Sequence, residues 1–156
     1  MVFDRSCVPA GRGEVIVHAR TPQQQEQLVT YIGRAIGIAP KALVGDMPYH
    51  AMGSIRDGAL AGVALFTNYR GQSIEAHVCG SPGWVTRADL AQLFGYPFQQ
   101  LGVLRIDLCI ARNNRAARRF AERLGFVVKC VADDAFGEGM DGIVYSMRKK
   151  NCRWLR

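Results

Sequence analysis

The sequence predicts an α/β domain: a mixed sheet of about seven strands with helices on both faces. Three observations predict it. The periodicity runs strand, helix, three strands, helix, strand, helix, two strands. The three consecutive strands are separated by the tight-turn pairs Asp57-Gly58 and Arg70-Gly71. The chain has 156 residues, 49% of them hydrophobic, which suits a single domain, 1–156, with a buried core.

The elements follow in order. Glu14 to Ala19 (EVIVHA) alternates and is rich in β-branched residues, so it is the first strand. TPQQQEQLVTYIGRAIG is helical: Thr21 caps, Pro22 suits the first turn, and Leu28, Tyr31, Ile32, Ala35 and Ile36 share one face. IAPKALVGDMPYH, with two prolines and a Gly-Asp pair, is irregular with room for a short helical turn. Ala51 to Val78 is a three-stranded antiparallel meander, and CGSPGWVTR breaks it. ADLAQLFGYPFQQLG has helical spacing, against which Gly95 and Pro97 stand. VLRIDLCIA is a buried strand, and FVVKCVA and GIVYSMRKK are two more after the last helix.

That last helix lies in RNNRAARRFAERLGF. Asn113 or Asn114 caps it, Gly125 closes it, and Ala117, Phe120, Ala121 and Leu124 form its apolar stripe. Arg115, Arg119 and Arg123 line another face, with Arg118 beside them. Three readings of the arginines stand: a solvated basic face, an anion site at the helix N-terminus, or a nucleic-acid contact. No nucleic-acid-binding motif is present, and aromatics do not interleave with the basic row.

Composition bounds the function. A net charge of +7 points to an anionic ligand or partner. Cys7, Cys79, Cys109, Cys130 and Cys152 are scattered, with no zinc spacing, so a reduced cytoplasmic protein without metal is expected. The first twenty residues carry Asp4, Arg5, Arg12 and Glu14 and have no long apolar core, unlike a signal peptide. No apolar run is long enough for a bilayer, so no membrane partner is expected.

NRAARRFAERLGF resembles the helix and strand start of the GNAT N-acetyltransferases, whose pattern is Asn-x-x-Ala/Ser followed by a Glu-x-Leu-Gly-Phe ending. YPFQQLGVLRIDLCIARNN resembles the corresponding segment of the ribosomal-protein N-terminal acetyltransferase branch. WVTRADL and YSMRKKNCRWL resemble small GNAT proteins encoded by bacteriophages, which would place the protein in a host cytoplasm. The resemblance covers about Gly53 to Leu155.

It implies a GNAT-like fold in which two neighbouring parallel strands splay at the cofactor site. Acetyl-CoA is then the acetyl donor, and the acceptor is an amine of a small molecule or macromolecule. The pantetheine arm is expected along His77, Val78 and Cys79. The phosphates are expected at the loop of Gly83, Trp84, Val85, Thr86, Arg87 and Ala88, which departs from the family's glycine pattern. Gly83, Thr86 and Ala88 give one register there, and counting back from Tyr96 gives another two to four residues earlier. Asn114, Ala117 and Arg118 are expected to border the cofactor. Glu75 is the first choice for general base and His77 the second. The tyrosine that protonates the leaving thiolate in many relatives is Ala121 here, leaving water, Tyr49, Tyr69 or another residue. The competing expectation is a GNAT-like binding protein, catalytically inactive, acting on a host protein or nucleic acid. A monomer or homodimer suits either.

Overall fold

The computed structural model describes residues 15–155. Cys7, Glu14 and most of the segment weighed as a signal peptide lie outside them. Seven strands form one sheet in the order β1-β2-β3-β4-β5-β7-β6. They are β1 (Val15–His18), β2 (His50–Arg56), β3 (Ala59–Thr67), β4 (Ser73–Gly80), β5 (Arg105–Ala111), β6 (Val127–Ala132) and β7 (Gly142–Arg148). Only β4 and β5 pair in parallel; the other neighbours are antiparallel. Helices α1 (Pro22–Ile36) and α2 (Pro40–Val44) precede β2, α3 (Arg87–Gly95) follows β4, and α4 (Arg115–Leu124) follows β5. The predicted element order and strand number agree with this architecture, and α2 is the short helical turn.

Alternation along the strands divides the core in two. Val63 and Leu65 of β3 pack with Leu28, Val29 and Ile32 of α1. Ala64 and Phe66 point to the opposite face, with Leu90, Leu93 and Phe94 of α3 and Leu124 of α4. Thr21 starts α1 through a capping box: its hydroxyl accepts from Gln24 N–H, and Gln24 Oε1 accepts from Thr21 N–H, both at 3.2 Å. Helix α3 gives way at Pro97, which has no N–H to donate. The chain widens there into a π-turn over Tyr96–Gln100, with Leu101 N–H bonded to Tyr96 C=O at 3.0 Å.

Helix α4 is capped by Asn114, whose Oδ1 accepts from Ala117 N–H at 3.1 Å, and it ends at Gly125 with φ 108°. Of the expected buried stripe, Ala121 and Leu124 are buried, while Ala117 and Phe120 are half-buried. Phe120 lies at the margin of the helix–sheet contact, against Trp84. The C-terminal tail anchors the other end of α4, with Trp154 Nε1 donating to Leu124 C=O at 2.8 Å.

On the α3 side of the sheet edge, His18 Nδ1 and His50 Nε2 share a hydrogen bond of 2.8 Å, and Tyr96 stacks on His50 at 4.3 Å. Such a bond needs one nitrogen to donate and the other to accept, so the two rings cannot both be protonated while it holds. Burial, then the neighbouring His18, brings the pKa of His50 down to about 4. Burial, then Arg20, lowers that of His18. The unfolded chain therefore binds protons that the folded chain does not. This contribution to stability is present above the usual pKa of about 6.5 and is lost as pH falls through that value towards about 4. The urea midpoint should fall between pH 7 and pH 5, and His50→Gln should flatten that slope. An identical slope in the variant would assign the pH dependence to other groups.

Candidate cofactor cleft and active site

The parallel pair β4–β5 is short. Its ladder runs Ser73↔Arg105, Ile74↔Ile106 and Glu75↔Asp107 and stops there. β4 continues to Gly80 with β3 on its other side, and β5 continues to Ala111 with β7 on its other side. From 76 to 80 and from 108 to 111 the two strands face each other across a fork without pairing. Main-chain groups on these inner edges have no ladder partner, which is the condition an amide-rich extended ligand meets by adding to a strand. His77, Val78 and Cys79 lie on the β4 side of the fork.

Side chains on the α1 side of the fork begin with Glu75, which is exposed and accepts from Asn68 Nδ2 at 2.8 Å. His77 follows on the same face, half-buried, with Nε2 3.1 Å from Thr67 Oγ1. Burial lowers the His77 pKa more than nearby Glu75 raises it, so the ring is neutral at pH 7 and able to take a proton. Cys79 comes next, its thiol pushed up to about 11 by burial. A thiol so held is not a nucleophile at neutral pH.

Two groups here were not singled out from sequence. Asp107, opposite Glu75 in the last pair, accepts from Arg105 Nε at 2.9 Å and from the Ser146 hydroxyl. The alternation Arg105, Asp107, Cys109 in an otherwise apolar strand was its signal. Tyr31 of α1 donates to Ala61 C=O at 3.5 Å, and its pKa is raised by burial and then by Cys79. It had been placed only in the helix's apolar face. Of the other tyrosines, Tyr49 packs against the α1–α2 core and Tyr69 is exposed in the β3–β4 turn. On the same face the β6–β7 loop folds back, so that Ala135 and Phe136 approach Gly142 beside Cys109.

The β4–α3 loop closes the wide end of the fork. Gly83 turns the chain with φ 78°. Trp84 sends its indole inward over Gly80 and Gly62, where any side chain would collide with the ring. The Trp84 carbonyl accepts from Ser54 Oγ at 2.5 Å and Arg56 Nη2 at 3.0 Å. Arg56 also pairs with Asp89. Thr86 caps α3 reciprocally with Asp89: Thr86 N–H donates to the carboxylate at 2.6 Å, and Asp89 N–H donates to the Thr86 hydroxyl at 3.3 Å. The helix start thus carries a carboxylate of its own on the Thr86 amide. Arg87 and Ala88, both exposed, hold first-turn amides with no intrahelical acceptor. Val85 is half-buried. The Arg87 and Ala88 amides and the Arg87 side chain are therefore what this loop can offer an anion, with the Thr86 amide taken by Asp89 and the Trp84 ring turned away.

Across the fork, Asn114 is exposed, with its carbonyl committed to the cap. Arg118 reaches back over the sheet: Nε donates to Tyr145 Oη at 3.1 Å and Nη1 to Arg112 C=O at 3.0 Å. Tyr145 in turn donates to Glu122 at 2.9 Å. Arg115, Arg119 and Arg123 face solvent, and Ala121 is buried. Among the described residues no group of three His, Cys, Asp or Glu side chains is placed to hold a metal ion, and no helix is long and apolar enough to cross a membrane.

No protein-family model and no curated protein matches the chain. Solved structures do. A structure described as "Probable acetyltransferase" is 25% identical, with TM-score 0.59 over 67% of this chain and 64% of that one, so the match spans less than two thirds of its length. Spermidine N-acetyltransferase from Vibrio cholerae, in its dodecameric form, is 16% identical, with TM-score 0.66 over 88% and 94% of the two chains. A GNAT-family protein from Desulfovibrio desulfuricans is 17% identical, with TM-score 0.63 over 88% and 99%. The chain therefore has the fold of the GNAT acetyltransferases.

Proposed function

We propose that the chain is a single-domain, acetyl-CoA-dependent N-acetyltransferase that passes the acetyl group directly to an amine. The observation that carries this is the fork: a parallel pair that stops at Glu75↔Asp107 and leaves two main-chain edges facing each other beneath a helix N-terminus. The pantetheine arm lies along His77, Val78 and Cys79. The phosphates lie at the loop from Gly83 to Ala88, where Arg87 supplies charge. Asn114, Ala117 and Arg118 border the arm from α4, and Arg118 is held for this by Tyr145.

Glu75, or His77 through its neutral ring, takes the proton the amine sheds as its nitrogen attacks the thioester carbon. Positioning and main-chain N–H donors on the thioester oxygen supply most of the remaining acceleration. With Ala121 in the usual tyrosine position, water or the Tyr31 hydroxyl returns a proton to the thiolate.

Acetyl-CoA at about a hundred times its Kd should stabilise the fold by about 2.7 kcal/mol. For a chain of this size that is a rise of roughly 5–10 °C in Tm. No shift at millimolar acetyl-CoA would count against the reading. A second reading, an inactive GNAT-like binding protein, is favoured by Ala121 and by the exposed row Arg115, Arg119 and Arg123. Acetyl-CoA binding without transfer to any member of an amine panel is the outcome that selects it.

A further inference from the structure

Between the sheet and helices α3 and α4 lies a cavity of about 40 Å³. Ala76 and Val78 of β4 and Ile106 and Leu108 of β5 line its sheet side, and Trp84 and Phe120 stand at its loop end. Its wall exposes no polar atom. We propose that this cavity receives the acyl chain of the donor thioester, so that acetyl-CoA is one donor among several and straight-chain thioesters of about four carbons bind more tightly than it does. This rests on the CoA-thioester reading of the fork.

Three observations carry it. First, position: the β4–β5 ladder ends at Glu75↔Asp107, and the next side chains on the α3 side, Ala76 and Leu108, are cavity wall. A thioester carbon at the point of the fork is thus next to the cavity. Second, chemistry: the amides of a pantetheine arm buried in a wall without polar atoms would lose their hydrogen bonds at a cost of several kcal/mol each. The arm's own place is the unpaired strand edge, and what suits this space is hydrocarbon. Third, size: one water needs roughly 10–15 Å³ on this measure, so the space holds about three carbon-sized atoms. Small side chains make that room, Ala76 on β4 and Ala64 on β3. The transfer step is unchanged: the N–C bond forms, the C–S bond breaks, the base takes the amine proton and the thiolate regains one.

Calorimetric titration of the full chain with CoA and its acetyl, propionyl, butyryl and decanoyl thioesters tests this. Affinity should rise about fourfold for each methylene from acetyl to butyryl, equivalent to about 0.8 kcal/mol per buried CH₂. The gain should be gone at decanoyl. Ala64→Val and, independently, Leu93→Phe fill the cavity from β3 and α3, away from the fork's main-chain edges. Each should abolish the gain and leave CoA affinity unchanged. If neither variant folds, the chain-length series alone decides. Flat or falling affinity from acetyl to butyryl, with CoA still bound, overturns the acyl cavity and leaves the CoA reading in place. Failure of every thioester to bind overturns both.

Discussion

Glu75→Gln should lower turnover about a hundredfold or more and leave acetyl-CoA affinity unchanged, the range expected for loss of a general base. The substitution is sparing. Glu75 is exposed, and its partner Asn68 Nδ2 donates to an oxygen that glutamine retains. Stability should therefore stay within about 0.5 kcal/mol of the parent. Only the capacity to take a proton is removed. His77→Gln is the companion variant, because a glutamine amide can still bond to Thr67. A full rate in the Glu75 variant, joined to a collapse in the His77 variant, would transfer the role to the imidazole. Full rates in both would leave water as the proton acceptor.

The second large effect concerns the loop at the wide end of the fork. Trp84 is 7% exposed, and its indole fills the space over Gly80 and Gly62. Trp84→Ala should cost about 3–5 kcal/mol, from lost burial and the cavity left behind. Gly80→Ala should cost about 1–3 kcal/mol for the opposite reason, since its methyl would enter space held by the ring. Combined, the two should not add: with the indole gone, the Gly80 methyl has room. A coupling energy of about 0.5–3 kcal/mol, read from urea unfolding of the two single variants and the double, is expected. Strict additivity would show that the ring shifts freely and that Gly80 is not there for its sake.

Much of the fold was legible in sequence because its signals are local. The turn pairs bracket β3, whose period-two pattern then divides Val63 and Leu65 from Ala64 and Phe66. Thr21, Asn114 and Gly125 act within one helical turn of their own positions. Pro97 marks the place where α3 loses its regular bonding. The same period placed Glu75 and His77 on one face. At the site, the local signals run out. Arg118 was expected beside the cofactor from its place on α4, and what holds its guanidinium is Tyr145, 27 residues away in sequence. Trp84 was read with its loop, yet its ring is in the core.

By itself, then, the sequence determined the order and type of the elements, their caps, and which strand residues share a face. These depend on backbone geometry and on side chains a few residues apart. The tertiary structure alone decided where β4 and β5 part, that Asp89 caps α3 while pairing with Arg56, that Asp107 is held by Ser146, and that an apolar space lies behind the fork. Each of these joins residues distant in the chain, and no periodicity encodes them. They arise because β4 and β5 are each held along the other edge by a different neighbour, and because helices laid across the gap meet the sheet only where their own side chains allow.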